Sequence, residues 1–323
     1  MMSEISQIDE WVRCLPNGKP ISALGFGCSS AWAKPGFDNA EAQRLLEALV
    51  EEGVNHFDTS PSYGAGTGEV RLGQFLRTNK SSEMVVSTKV GTNLINGRIV
   101  RGFQRDLIEE SFAASLERLG LRSVDILYLH GPSLEDLHPG SDVHSFFEDM
   151  KSAGKITYSG VNSFEPAVLD AVSDTAIDCV MLQFNVDDFR NVRQLERLSQ
   201  IGKFVISGTV LSRAKFKLST FLPRNSRSLW YLLRMIKTDP LFAWNGWKLK
   251  RRLMATGLDP VTAAIRFATG HPMVLSNLFG TSTIEHARAN ARSGHGVLDP
   301  AMREALAKGR MPARNDSLEV RAR

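Results

Sequence analysis

Cysteine is scarce in this 323-residue chain: Cys14, Cys28 and Cys179 are the only three. Their spacing fits neither a disulfide framework nor a metal cluster. No metal site is therefore expected, and the setting is expected to be reducing and cytoplasmic. Long apolar runs are also missing, and none approaches the roughly 18 residues of a membrane-spanning helix. The opening MMSEISQIDEW carries acids and no apolar stretch, unlike a secretory leader. Nowhere does a GxGxxG follow a strand at the head of a helix, which argues against a doubly wound dinucleotide-binding sheet. Acids nearly vanish between Arg213 and Arg252, where Asp239 faces eleven Lys or Arg. Of the totals of 39 Lys/Arg and 35 Asp/Glu, the rest of the chain holds 28 and 34, so it is net acidic. The pI of about 9.0 belongs to one segment, and no nucleic-acid partner follows from it.

What the chain does have is alternation. Short apolar runs at Ile21–Cys28, Val54–Asp58, Met84–Val90, Val124–Leu129, Ile156–Val161, Cys179–Phe184, Phe204–Leu211 and Val274–Phe279 read as eight strands. Between them lie helical patterns, such as Ala40–Glu52 with Leu45, Leu46 and Leu49 on one face, Asp38 as cap and Gly53 as stop. Pro260–Thr269 opens with Asp259 and Pro260, a cap followed by the residue favoured at the first helical position. Eight such units favour a closed parallel (β/α)8 barrel, here one domain over 1–323. A hairpin with Asn17-Gly18 as its turn precedes the first unit. A long insertion follows the seventh strand at 213–252, and a polar tail runs from about 311 to 323.

In a parallel barrel the strand ends converge on one rim, where chemistry gathers. The second strand ends on Asp58, with Tyr63 five residues later. The third carries Lys89 and the fourth ends on His130. An acid, a phenol, an amine and an imidazole brought together can protonate a carbonyl oxygen while hydride reaches the carbon. A phenol ordinarily ionises near pH 10, and a neighbouring ammonium is expected to lower that value. Asp58 would keep Lys89 charged, and His130 would donate to the carbonyl oxygen. Side chains cannot supply hydride, so a cofactor is required.

The motifs GVNHFDTSPSYG, VVSTKVG, ILYLHGP and SGVNSF resemble those of the aldo-keto reductases, and the likeness extends from about Leu24 to about Asn290. The resemblance implies a barrel plugged by the N-terminal hairpin and catalysis by Asp58, Tyr63, Lys89 and His130. It implies interconversion of an aldehyde, ketone or sugar carbonyl with an alcohol. The cofactor would be NADP, with NAD as the alternative. Asn162, Ser163 and Gln183 would hold its carboxamide, and Thr281, Ser282, His286 and Asn290 its adenosine-phosphate end. Two departures stand out. Gly208 replaces an aromatic or arginine that covers the nicotinamide, and Gly280 and His286 stand where cations for a 2′-phosphate are expected, with Arg288 nearby. The same fold also serves as a non-catalytic, cofactor-sensing subunit, a second reading of the chain.

The basic insertion interleaves its cations with Phe216, Phe221, Trp230, Tyr231, Phe242, Trp244 and Trp247. Springing from the active rim, it reads as a cap over the cofactor, a recruiter of an anionic small-molecule substrate, or a peripheral membrane contact. SLWYLLRMIK and FAWNGWKLKRRL are each long enough for helical turns.

Overall fold

Period-two alternation along the third barrel strand shows how the chain folds. In β5 (Val85–Val90), Val85 joins a core inside the barrel, while Val86 and Val90 join the core between strands and helices. Ser87 bonds inward to Asp58, Thr88 bonds outward to a helix, and Lys89 again points inward. Each buried strand thus feeds two cores, as a sheet covered by helices requires.

The computed structural model describes residues 11–79, 81–211 and 241–309. Eight parallel strands close the barrel: β3 (Leu24–Gly27), β4 (His56–Asp58), β5, β8 (Val124–His130), β9 (Ile156–Asn162), β10 (Cys179–Leu182), β11 (Phe204–Ser207) and β12 (Val274–Phe279). Their helices are α1 (Asn39–Glu51), α2 (Thr67–Thr78), α3 (Arg105–Leu119), α4 (Asp142–Ser152), α5 (Pro166–Val172), α6 (Val192–Gln200), α8 (Pro260–Thr269) and α9 (Ile284–Gly294); α7 (Phe242–Met254) precedes α8 and α10 (Pro300–Ala307) follows α9. Caps fall where the sequence puts them. Asp38 accepts from Glu41 N, and Asp259 accepts from Val261 N and Thr262 N.

The hairpin pairs β1 (Val12–Cys14) with β2 (Pro20–Ser22). Ile21 therefore belongs to the hairpin, and the first barrel strand is shorter than the expected Ile21–Cys28. Leu15 and Ile21 plug the barrel against Ile126, Tyr158 and Ile206. A second hairpin, β6 (Thr92–Ile95) with β7 (Arg98–Arg101), was not expected. Its turn, Asn96-Gly97, has both residues at positive φ, the conformation an Asn-Gly pair favours. Arg101 reaches from it to the carbonyl of Gly131, just past the strand that ends on His130. The expected run SLWYLLRMIK, most of the basic insertion and the tail at 311–323 lie outside the described residues, while FAWNGWKLKRRL forms α7.

Candidate active site

Asp58, Lys89 and His130 sit at the ends of three adjacent strands, and β4, β5 and β8 pair in that order. Lys89 Nζ lies 2.5 Å from Asp58 Oδ2 and donates to the carbonyl of Thr59 at 2.8 Å. Ser87 Oγ donates to the other Asp58 oxygen at 2.8 Å. The ammonium also stands 4.9 Å from the Tyr63 ring centre. Tyr63 and His130 meet edge to face, with ring centres 6.2 Å apart. All four expected side chains are thus together.

Tyr63 is held by its loop. Gly64, at φ +60°, lies so close to the carbonyl of Ala33 that a Cβ would collide with backbone. The loop carrying Tyr63 is therefore pressed against the loop after β3. Gly25 and Gly27 divide the two roles open to glycine in β3. A Cβ at Gly25 would strike His56 and Leu278, so its role is packing, whereas a Cβ at Gly27 would make only ordinary contacts, and Gly27 lines the cavity described below.

Burial dominates the electrostatics. It raises the Tyr63 pKa above the usual 10, and Lys89 only partly opposes it. The expected net lowering of the phenol is therefore reversed, because desolvation of a phenolate outweighs one ammonium already shared with Asp58. Burial pulls Lys89 down, but Asp58 and Tyr63 raise it by more, so the ammonium stays charged. Burial also raises Asp58, against the pull of Lys89. His130 is lowered to about 3 by burial, then by Lys89 and Arg101. It is a neutral imidazole at pH 7, with Nδ1 3.5 Å from Ser60 Oγ.

A cavity of about 570 Å³ opens at this rim, lined by Asp58, Tyr63 and His130 at one end and by Gly280, Thr281 and Ser282 at the other. Asn162 and Gly208 lie along it. Ser163 is buried beside it, with its hydroxyl accepting from Glu165 N. Gln183 lies past the end of β10, half-buried, with its amide donating to Asp188 at 3.1 Å, and Met181 lines the cavity. Asn290 is buried on α9, and His286 is exposed on the same helix. Arg288 forms ion pairs with Glu51 and Glu52.

A nicotinamide dinucleotide fits this wall. The first turn of α9 has no side-chain cap, and the buried Thr283 hydroxyl at its N-cap has no partner. Uncapped N–H groups and a free hydroxyl suit a phosphate. At Gly208 a Cβ would make only ordinary contact with Met181 and Phe164, so the space left by the missing side chain is open. Phe164, 41% exposed, lines the cavity there.

One residue was missed from the sequence. Arg71 on α2 is 1% exposed. It donates to the carbonyls of Trp32, Lys34 and Phe37 and to Asn39 Oδ1, and its guanidinium lies between the rings of Trp32 and Phe37. Trp32, Lys34 and Phe37 belong to the loop after β3, whose Ser29, Ser30 and Ala31 wall the cavity, and Asn39 opens α1. Nothing in a lone helical Arg signals this; only the carbonyls that need donors do. In the described end of the basic insertion, Lys248, Arg251 and Arg252 line another cavity, which shares no lining residue with this one among the described residues.

Residues 23–203 match the model of the aldo/keto reductase family. Over 188 residues the chain is 32% identical to D-threo-aldose 1-dehydrogenase of a Pseudomonas species, covering 51% of this chain and 57% of that one. Over 285 residues it is 27% identical to the uncharacterized oxidoreductase YqkF of Bacillus subtilis, covering 85% and 88%. The fold is that of the holo-form aldo-keto reductase AKR11C1 of Bacillus halodurans, with TM-score 0.76 at 23% identity over 94% of this chain and 98% of that one. With more than half of its length matched by that family model, the chain belongs to the aldo/keto reductase family.

Proposed function

We propose that this protein is an NAD(P)H-dependent oxidoreductase that interconverts a small carbonyl compound, an aldehyde, ketone or sugar, with its alcohol. The observation that carries the reading is the buried Lys89–Asp58 pair beneath Tyr63, with His130 beside it and with Asp58, Tyr63 and His130 lining one cavity. The cofactor, held by Asn162 and the Thr281–Ser282 turn with Ser163 alongside, supplies hydride to the carbonyl carbon when bound. Tyr63 gives its proton to the carbonyl oxygen. Its raised pKa keeps it protonated near neutrality, so the donor is in the right state before substrate arrives. Lys89 then stabilises the phenolate that forms, at a site where water does not screen it. His130, neutral, donates a hydrogen bond to the same oxygen.

NADP is the cofactor we favour on family grounds, with a weaker preference over NAD than cations at the phosphate end would give. Arg288 is tied to Glu51 and Glu52, which supports that weaker preference. The names of relatives that act on aldoses support a sugar or related polyol as the substrate class. The test is turnover of NADPH and NADH with a panel of aldehydes and sugars, alongside Tyr63→Phe. We expect the variant to bind NADPH normally and to lose turnover by about a thousandfold. Near-normal turnover would remove Tyr63 from its role. Cofactor binding without turnover of any substrate in the wild-type chain would favour a cofactor-sensing subunit instead.

A further inference from the structure

Helix α7 shows an unusual outward face. Leu249 and Leu253 are buried beneath it, and Gly246 is buried with them. Outward, Leu241 just before the helix is 60% exposed, Trp244 50%, Trp247 47% and Met254 57%. These positions are spaced three, three and seven residues apart, so they lie on one side of the helix, opposite Leu249 and Leu253. Most exposed apolar side chains elsewhere are scattered, and scattered ones need no explanation. Here four large ones share a stripe.

Cations are woven through it. The indoles of Trp244 and Trp247 stack with centres 5.0 Å apart. Lys248 stands over Trp244 at 5.1 Å and Arg251 over Trp247 at 4.9 Å. Among the described residues neither cation has a carboxylate partner. The helix carries four Lys/Arg, at 248, 250, 251 and 252, and no acid. Trp244 and Trp247, with Lys248, Arg251 and Arg252, line a cavity of about 880 Å³ in which Asp187 is the single acid among the described lining residues. A free small anion would not need Leu241 and Met254 on the same face, and a patch of four Lys/Arg on one helix without an acid matches an anionic surface in charge. A sheet of anionic headgroups over acyl chains needs both.

We infer that the outward face of α7 is a peripheral docking surface for anionic lipid. Trp244, Trp247, Leu241 and Met254 insert at the headgroup level, and Lys248 and Arg251 meet the phosphates. The cavity at the barrel rim shares none of these residues among the described lining.

The experiment is co-sedimentation of the full-length protein with vesicles of phosphatidylcholine alone or with one third phosphatidylglycerol. Binding is expected only to the anionic vesicles and to weaken with salt. Replacing Lys248 and Arg251 together by Gln should weaken the partition by about 30-fold, from two cations near an anionic surface. Trp244→Ala with Trp247→Ala should weaken it comparably, with the thermal midpoint of each variant matching the wild type. Inorganic phosphate should release the protein no better than chloride of equal ionic strength. Equal sedimentation on both vesicle types overturns the inference. So does undiminished binding of the Lys248/Arg251 variant, or specific release by phosphate, which would mark a small-anion site. None of these readouts depends on carbonyl turnover.

Discussion

Lys89 and Arg71 are both cations buried to 1% exposure or less, yet they are held in opposite ways. Lys89 has a carboxylate at 2.5 Å, one carbonyl, and a phenol ring above it. Arg71 has three carbonyls and an amide oxygen; Asp38 supports its charge without an ion pair. Burying a charge is costly either way. At the barrel mouth the cost maintains an ammonium beside the Tyr63 phenol, the proton donor of the proposed reaction. At the loop it satisfies backbone acceptors that no sheet or helix can reach, a task that suits a planar fork of five donors. In the proposed function one cation serves the reaction, while the other holds the loop that walls the cavity.

The largest effect should come from breaking the first arrangement. Lys89→Met is expected to lower turnover by about a thousandfold. It should also cost roughly 3–5 kcal/mol of stability, because Asp58 is left buried and unpaired. Adding Asp58→Leu should recover most of that stability, read by urea unfolding, without recovering turnover. If the double variant regained activity, the pair would be mere packing.

Breaking the second arrangement should act differently. Arg71→Lys can satisfy one or two of the four acceptors, so stability should fall by about 3 kcal/mol through unpaired carbonyls. KM should rise several-fold as the Ser29–Ala31 wall loosens, while kcat changes little. A kcat loss as large as that of Lys89→Met would erase the distinction between the two cations.

Acid sharpens the contrast by testing groups that burial keeps uncharged. His56 lies in the barrel below Asp58, bonded to Ser276, with its pKa lowered to about 3 by burial and then by Lys89. Below pH 6.5 the unfolded chain binds a proton that the folded chain refuses. The stability that neutral His56 provides is therefore complete above pH 6.5 and is lost as pH falls toward 3. Between pH 6.5 and 5 the loss should be about 2 kcal/mol for this residue. Urea midpoints across that range should show the slope, and His56→Gln should make it shallower by that amount, the remainder belonging to His130 and His271, which burial lowers to about 3 and about 4.

The smallest effect is expected at Arg288, a cation at the surface. Glu51→Gln with Glu52→Gln should free it and shift cofactor preference toward NADPH by roughly threefold at most, as exposed ion pairs are weak. Competition binding of NADPH and NADH would measure this shift. A tenfold change would mean that Arg288 already contacts the phosphate end.

Much of this was legible because strands speak locally. Alternation in VVSTKV sets Lys89 inward, and the ends of HFD and VDILYLH place Asp58 and His130 on the same rim. Asp38 and Asp259 marked their helices by chemistry that works within three residues. The Asn96-Gly97 hairpin was equally local, and its turn signal went unread. Gln183 was harder: whether a strand continues for one more residue depends on its neighbours, and β10 stops at Leu182.

The sequence by itself determined the order of eight strands and their helices, the rim on which the four reactive side chains gather, and the position of the basic segment. Periodicity, caps and strand ends are properties of neighbours along the chain. Tertiary structure alone decided three further matters. It reversed the sign of the Tyr63 shift, because desolvation depends on everything packed around the phenol. It gave Arg71 its task, because the carbonyls it satisfies lie 34 to 39 residues away. And it set the cations of α7 over indoles on a face away from the catalytic cavity, since where a helix comes to rest is fixed by what its buried side packs against.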